Sequence, residues 1–542
     1  MTDDEGMRGD QLWGTTPRLV RKAAEVHEGR PAVSDGALTL SYRDLADAVH
    51  QAARAFMGAG LEPGDRAAIW APNISEWIVA ALGLHSAGGV LVPLNTRFKG
   101  HEAGYVLERS GARMLLTVTD FLNADYVALL REAMGPSSAE RPVEGLPDLR
   151  QIVVLRGDTT EGSMSWSEFL RGGDGVESAE ADARALAVDP GDLSDILFTS
   201  GTTGAPKGVM TAHGQNLRAY QDWAHVVGLR EGDRYLIVNP FFHAFGYKAG
   251  ILAALMSGAT IHPQLVLDVP EVMRRIAAER ITMFPGPPTL YQTILNHPDF
   301  GETDFSSLRL AVTGAAAIPV ELILRMREEL HFETIITGYG LTESCGIATM
   351  CRFDDDPETI STTSGRAIPG VEVRCVDDAG VQVPRGEPGE VVVRGYQVMQ
   401  GYFDDPTATG EAVDPAGWLH TGDIGVMDER GYLDITDRKK DMFIVGGFNA
   451  YPAEIENLMS PHPAIAQVAV IGVPHERQGE VGVAFVVPRV GQAVDPDEVV
   501  SWCRTRMANY KVPSRVVVVD QLPLNASGKV LKGELRQLAA EA

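Results

Sequence analysis

Two periods of apolar and polar residues alternate along the first third of the chain. Residues 42–58 place Leu45, Ala46, Val49, Ala52, Ala53 and Phe56 at helical spacing and run into Gly58-Ala59-Gly60, a helix stop. Residues 67–70 form a short unbroken apolar run closed by Ala71-Pro72-Asn73, which predicts a buried strand. A second helix is predicted over 76–87 and a second strand over 89–93. Strands alternating with helices imply a parallel sheet covered on both faces. The rhythm continues with strands predicted over 196–198, 235–238, 281–284, 308–312 and 334–336. Residues 134–147, rich in Pro, Gly, Ser and Glu, and residues 172–180 read as surface insertions.

After residue 360 the pattern changes. Residues 371–376 and 389–394 alternate with period two, between the turns Asp377-Asp378-Ala379-Gly380 and Pro384-Arg385-Gly386-Glu387-Pro388-Gly389. That is the signature of antiparallel hairpins, so a small β subdomain is expected over about 360–437. The tail reads as α+β, with helices over 453–459 and 496–507 and extended segments over 465–473 and 483–488. The division expected is residues 1–437 against 438–542.

Composition narrows the class. At about 150 residues per domain, a chain of 542 residues holds more than one. With 44% hydrophobic and 22% charged residues it has the material for a packed core. The net charge of −26 argues against nucleic acid or an anionic membrane face as partner, but not against a small anion held in a cleft. Cys345, Cys351, Cys375 and Cys503 make no C-x-x-C pair, so neither a disulfide framework nor structural zinc is expected, and a reducing cytoplasm fits. The acidic start lacks the basic-then-apolar pattern of a secretory signal, and no apolar run reaches the roughly 18 residues of a membrane span.

The strongest chemical signal is Phe198-Thr199-Ser200-Gly201-Thr202-Thr203-Gly204-Ala205-Pro206-Lys207-Gly208, directly after a predicted strand. Its glycines permit tight turning, its hydroxyls and N–H groups can surround an anion, and Lys207 adds a point charge, all of which suits a polyphosphate. It lacks the spacing of a Walker A loop. The bland reading is a flexible surface loop. In Thr337-Gly338-Tyr339-Gly340-Leu341-Thr342-Glu343, Tyr339 offers a face for a purine and Thr342 and Glu343 offer hard oxygens for Mg²⁺. An ordinary strand-to-helix turn explains it equally well. In Gly417-Trp418-Leu419-His420-Thr421-Gly422-Asp423 the carboxylate suits ribose hydroxyls, against a plain turn aspartate. Asp437-Arg438-Lys439-Lys440-Asp441 and Pro523-Leu524-Asn525-Ala526-Ser527-Gly528-Lys529 would, alone, be a charged linker and a surface turn.

Taken together, in this order and at these separations, the segments resemble those of the adenylate-forming superfamily, which includes acyl-CoA synthetases, adenylation domains of peptide synthetases and firefly-type luciferases. The resemblance runs from about Leu12 to the C-terminus and takes in Ala87-Gly88-Gly89-Val90-Leu91-Val92-Pro93-Leu94-Asn95 and Asn239-Pro240-Phe241-Phe242-His243. It implies an α/β fold: a large N-terminal domain of two parallel α/β subdomains plus a small β-barrel subdomain, and a mobile α+β C-terminal domain. It implies a phosphate loop at Thr199, Ser200, Gly201, Thr202, Thr203, Gly204 and Lys207. Thr342 would contact the α-phosphate, and Glu343, with Thr202, would hold Mg²⁺. Gly314, Ala315, Ala316, Gly338, Tyr339 and Gly340 would lie along adenine and the acyl pocket, and Asp423 and Arg438 would hold the ribose. Lys529 would be the adenylation lysine and Lys440 the hinge, with Gly446 and Gly447 replacing Lys529 in a second, thiol-accepting arrangement.

The resemblance further implies a carboxylic acid substrate with ATP, Mg²⁺ and coenzyme A, and an acyl-AMP intermediate. The alternative is an acyl-AMP ligase that loads a separate carrier protein. His243 reads as a gate between acyl pocket and thiol tunnel, against a structural histidine. His243, Phe245, Tyr247, Lys248, Gly286 and Gly340 would line the acyl pocket; Lys248 would meet a polar group on the acid or snorkel to the surface. The segments around 239–250 and 284–291 resemble actinobacterial ligases of steroid-derived ring propionates, with fatty or aryl-alkanoic acids as the other candidates. Candidate partners are a lysine acetyltransferase acting on Lys529 and a second copy of the chain. Gly533 departs from the basic residue commoner in related chains and weakens the expected last helix.

Overall fold

The computed structural model describes residues 6–138, 141–199, 206–314, 318–438, 441, 443–445, 448–450, 452–475, 478–504, 507, 509–525 and 530–541. The expectations for Ser200, Gly201, Thr202, Thr203, Gly204, Ala315, Ala316, Lys440, Gly446, Gly447 and Lys529 lie outside the described residues.

The predicted helix is Tyr42–Gly58. It starts on a capping box in which Ser41 Oγ accepts from the Asp44 N–H at 3.1 Å and Asp44 accepts from the Ser41 N–H at 3.0 Å. Its apolar stripe, including Leu45, Val49, Ala52 and Phe56, is buried. The next helix, Ser75–Ser86, is buried at every position except Glu76, as expected of a helix apolar on nearly all sides.

Two large sheets follow from the alternation. One has eight strands in the order Gly401–Tyr402, Lys207–Ala212, Leu193–Thr199, Val90–Pro93, Arg66–Trp70, Met114–Val118, Gln151–Arg156, Met164–Ser165. It is parallel except at Lys207–Ala212, which pairs antiparallel with both neighbours. The second runs Leu38–Ser41, Pro31–Asp35, Thr260–Pro263, Arg234–Ile237 and, through Met283, on to Leu310–Thr313 and Thr334–Tyr339. The strand expected over 281–284 lies between Arg234–Ile237 and Leu310–Thr313: Met283 bridges Tyr235 and Leu310, and the Phe284 and Gly286 N–H groups donate to the Leu310 and Val312 carbonyls. The insertion expected over 172–180 instead leads into the helix Ser178–Ala187.

The β subdomain is a four-stranded antiparallel sheet ordered Val371–Val376, Pro388–Gly395, Leu419–Met427, Leu433–Arg438. One apolar core extends from Trp13 to Leu433, and a separate one joins Phe443, Ile455, Val470, Val486 and Cys503 in the tail. The tail sheet pairs Ile465–His475 with Gly479–Pro488 and adds Arg515–Val518 in parallel. The last helix, Lys532–Glu541, forms despite Gly533. Cys345, Cys351, Cys375 and Cys503 are free and buried. Among the described residues no helix is long and apolar enough to cross a membrane.

His85, on the buried helix, lies 3.0 Å from the Ser194 carbonyl through Nε2. Burial pushes its imidazole down to about 4. The unfolded chain therefore binds more protons than the folded one between the ordinary imidazole value and pH 4, and stability falls as pH drops through that window. Between pH 7 and pH 5 this group alone should remove about 2 kcal/mol. His85→Gln should flatten the acid limb of a thermal-midpoint-versus-pH curve, and an unchanged limb would refute the assignment.

Candidate active site

In open α/β sheets ligands gather beyond the carboxyl ends of strands. Several candidate segments sit at such ends. Thr199 ends Leu193–Thr199, Gly314 follows Leu310–Thr313, and Tyr339 ends Thr334–Tyr339. Thr199 and Lys207 face each other across the mouth of an antiparallel hairpin whose tip is the proposed phosphate loop. Thr199 Oγ1 donates to the Lys207 carbonyl at 3.4 Å.

Glu343 lies in the short 3₁₀ turn Thr342–Ser344, which the left-handed Cys345 (φ 56°) and Gly346 (φ 96°) bring back on itself. Gly340 is required here, since a Cβ would fall 2.4 Å from Ile347 backbone atoms. The Glu343 carboxylate accepts a hydrogen bond from the Tyr402 hydroxyl at 2.9 Å, and the Lys207 ammonium lies over the Tyr402 ring, 5.1 Å from its centre. Burial and then the Glu343 carboxylate push the Tyr402 phenol up, so it stays a donor. Tyr402 escapes sequence reading. It stands 59 residues from Glu343, and only the pairing of Gly401–Tyr402 with Lys207–Ala212 brings it in.

The Tyr339 hydroxyl donates to Asp423 Oδ2 at 2.6 Å. Asp423 is buried in Leu419–Met427, and the Arg438 backbone stands opposite it in the ladder. Lys207, Glu343, Tyr339 and Asp423, expected on the nucleotide side, thus belong to two linked pairs built from both large sheets and the β subdomain.

The acyl side is partly corrected. His243 is exposed, and its Nδ1 accepts a hydrogen bond from the Phe245 N–H at 3.2 Å. Desolvation by the protein around it, and then the Lys248 charge, hold its imidazole below the ordinary value. Phe245 is half-buried and meets Trp223 edge-on with centres 6.0 Å apart. Gly286 is buried and donates its N–H to the Val312 carbonyl at 3.1 Å. Tyr247 and Lys248 do not line a pocket. Both are fully buried, Tyr247 against Trp77 and His85, and Lys248 with its Nζ 3.0 Å from Asp195 Oδ1. Lys248 neither snorkels nor reaches a substrate, because its ammonium is already neutralised inside the core.

This hairpin, acidic turn and buried aspartate lie where the adenylate-forming resemblance expects nucleotide-binding groups, and the family comparisons give the class: an adenylate-forming ligase. The chain belongs to the AMP-binding enzyme family, whose model matches residues 20–403, and the AMP-binding enzyme C-terminal domain matches residues 454–529. It is 50% identical over 524 residues, 96% of this chain and 98% of the relative, to a methyl-dioxo-octahydroindenyl-propanoyl:CoA ligase of Rhodococcus jostii. A ligase of the same name from Mycobacterium tuberculosis is 50% identical, covering 91% of this chain and 93% of its own. The crystal structure of the anthranilate CoA ligase AuaEII with anthranoyl-AMP superposes with a TM-score of 0.87 at 28% identity, covering 99% of this chain and 100% of that one. The chain is an AMP-forming acid–CoA ligase that works through an acyl-adenylate, with ATP and CoA as co-substrates.

Proposed function

We propose that the acid is a propionate carried on a bulky bicyclic ketone, of the kind named for the Rhodococcus and Mycobacterium relatives and expected from breakdown of steroid rings. The observation that carries this reading is half-identity to those two ligases over more than nine-tenths of the chain. Local support comes from Gly314, where, among the described residues, an added Cβ would meet only the Gly338 carbonyl oxygen, at 3.5 Å. The reading includes domains at 1–437 and 438–542, supported by their separate cores, and a cytoplasmic location, supported by the free buried cysteines. It also includes Lys529 as a target of a lysine acetyltransferase and a second copy of the chain as partner, both inferred from the superfamily resemblance.

A carboxylic acid is ionised at pH 7, so no general base is required. The difficulty is bringing one anion onto the phosphorus of another. Lys207 and the hydroxyls of the phosphate loop would hold the triphosphate, Asp423 and Arg438 the ribose, and Thr342 the α-phosphate. The Glu343 carboxylate, oriented by Tyr402, fits the hard oxygen-donor chemistry of Mg²⁺. The ion, when bound, would screen phosphate charge. Lys529 would bridge carboxylate and phosphate oxygens, and His243 would stand at the thiol entrance without taking a proton.

ATP–pyrophosphate exchange over fatty, aryl and ring-propionate acids tests the substrate. The bicyclic dione propionate should show the highest kcat/KM, by about tenfold or more, since a well-filled pocket discriminates by roughly that factor per missing methylene group. A medium-chain or cinnamic-type acid leading by the same margin would overturn the assignment.

A further inference from the structure

Lys248 and Asp195 form the most deeply buried charge pair among the described residues, with both side chains 0% exposed and Nζ–Oδ1 at 3.0 Å. Each end has further partners. Asp195 accepts from Thr211 Oγ1 at 2.8 Å and from Asn216 Nδ2 at 2.7 Å, and Lys248 Nζ donates to Thr211 Oγ1 at 2.9 Å. A buried ion pair adds little net stability over apolar residues of the same volume, so stability alone does not account for this one.

Its location is more telling. Asp195 and Thr211 oppose each other at the root of the hairpin whose ends are Thr199 and Lys207. Lys248 belongs to Phe245–Leu252, which is wound as a π-helix and carries Phe245 on the acyl side. A π-helical segment is uncommon, is found at functional sites, and needs tertiary contacts to hold it. The third neighbour is Cys345, which follows the Thr342–Ser344 turn. It is fully buried. The Tyr220 hydroxyl anchors that residue by donating to its carbonyl at 2.9 Å. Gly346 packs on the acyl segment so tightly that a Cβ would lie 3.1 Å from Ala244 Cβ.

We propose that Lys248 and Asp195 are a positioning pair: their bond holds the acyl-side π-helix in register with the phosphate-loop hairpin and the Glu343 turn. The distance between the acid's carboxylate and the α-phosphorus is then set from beneath the site by residues that touch neither. The proposal rests on the ligase reading and adds to it how two substrates held on separate elements are brought to one geometry.

The test is the Lys248→Met/Asp195→Asn double variant, which removes both charges at nearly constant volume, beside Thr211→Val, which removes the bridging hydroxyl and strands no bare charge. Thermal midpoints, kcat, and KM for ATP and for the acid are measured by pyrophosphate exchange. Thioester formation from supplied acyl-AMP is measured separately. The double variant should fold and lose about a hundredfold in adenylation kcat, with both KM values changed less than about threefold, since misplacing reactants by about an ångström costs that much. Thr211→Val should lose about tenfold in the same parameter. Adenylation kcat within about twofold of wild type in a folded double variant overturns the proposal, as does a loss appearing only as a raised KM for the acid. If the double variant does not fold, unchanged kcat in Thr211→Val overturns it equally. Wild-type enzyme in the same assay separates the two ideas: failure of wild type to form AMP with any acid and CoA sinks the ligase reading, whereas active wild type with indifferent variants sinks only the pair.

Discussion

Lys529→Ala should abolish pyrophosphate formation while thioester formation from supplied acyl-AMP continues within about a few-fold of wild type. Loss of a positioned cation where negative charge accumulates costs on the order of a thousandfold or more, and the second half-reaction does not bring two anions together. The chain on either side of this lysine is paired. Leu524 bridges Val530, and the Leu531 N–H donates to the Pro523 carbonyl at 2.8 Å. The substitution therefore removes an ammonium group between two segments that are already paired. The check is a pair of single-turnover measurements, one from acid and ATP and one from acyl-AMP and CoA. Equal losses in both would contradict a lysine that serves adenylation alone.

Glu343→Ala should reduce adenylation by about a hundredfold to a thousandfold, because it deletes the carboxylate proposed to hold the metal against the phosphates. Tyr402→Phe should reduce it by about tenfold to a hundredfold, the usual effect of removing a group that orients a metal ligand. The two residues share one hydrogen bond, so the double variant should be little worse than Glu343→Ala. Titration of activity with Mg²⁺ distinguishes this from a packing effect. Both variants should need more Mg²⁺ for half-maximal rate, and an unchanged requirement with lowered rate would remove Glu343 from the metal site.

Much of the scaffold was legible because it depends on short-range regularities. The helix Tyr42–Gly58 has its stripe, its capping serine and its terminal glycine in consecutive sequence. The hairpin Val371–Val376 with Pro388–Gly395 is written in period two. Elsewhere local pattern was not enough. The leading hairpin Pro31–Asp35 with Leu38–Ser41 went unread, and its place was decided by pairing with Thr260–Pro263, far along the chain.

The candidate site divides the same way. Lys207, with its glycines and hydroxyls, advertises anion chemistry locally, whereas Thr342, Glu343 and Asp423 were named only through the order of segments that resembles the adenylate-forming superfamily. Lys248 shows the opposite case. A lysine in an apolar run is read as surface-seeking or ligand-seeking, and its real partner, Asp195, is separated from it by the length of the phosphate hairpin and a helix.

The amino-acid order by itself determined the α/β class, the change to antiparallel structure after residue 360 and the inventory of groups able to bind a nucleotide, because each is encoded by neighbours within a few residues. Only the folded chain decided that Tyr402 orients Glu343, that Tyr339 joins Asp423, and that Lys248 is consumed by an internal carboxylate. Those choices depend on strand order and on which charges lose their water together, and neither is a property of any single segment.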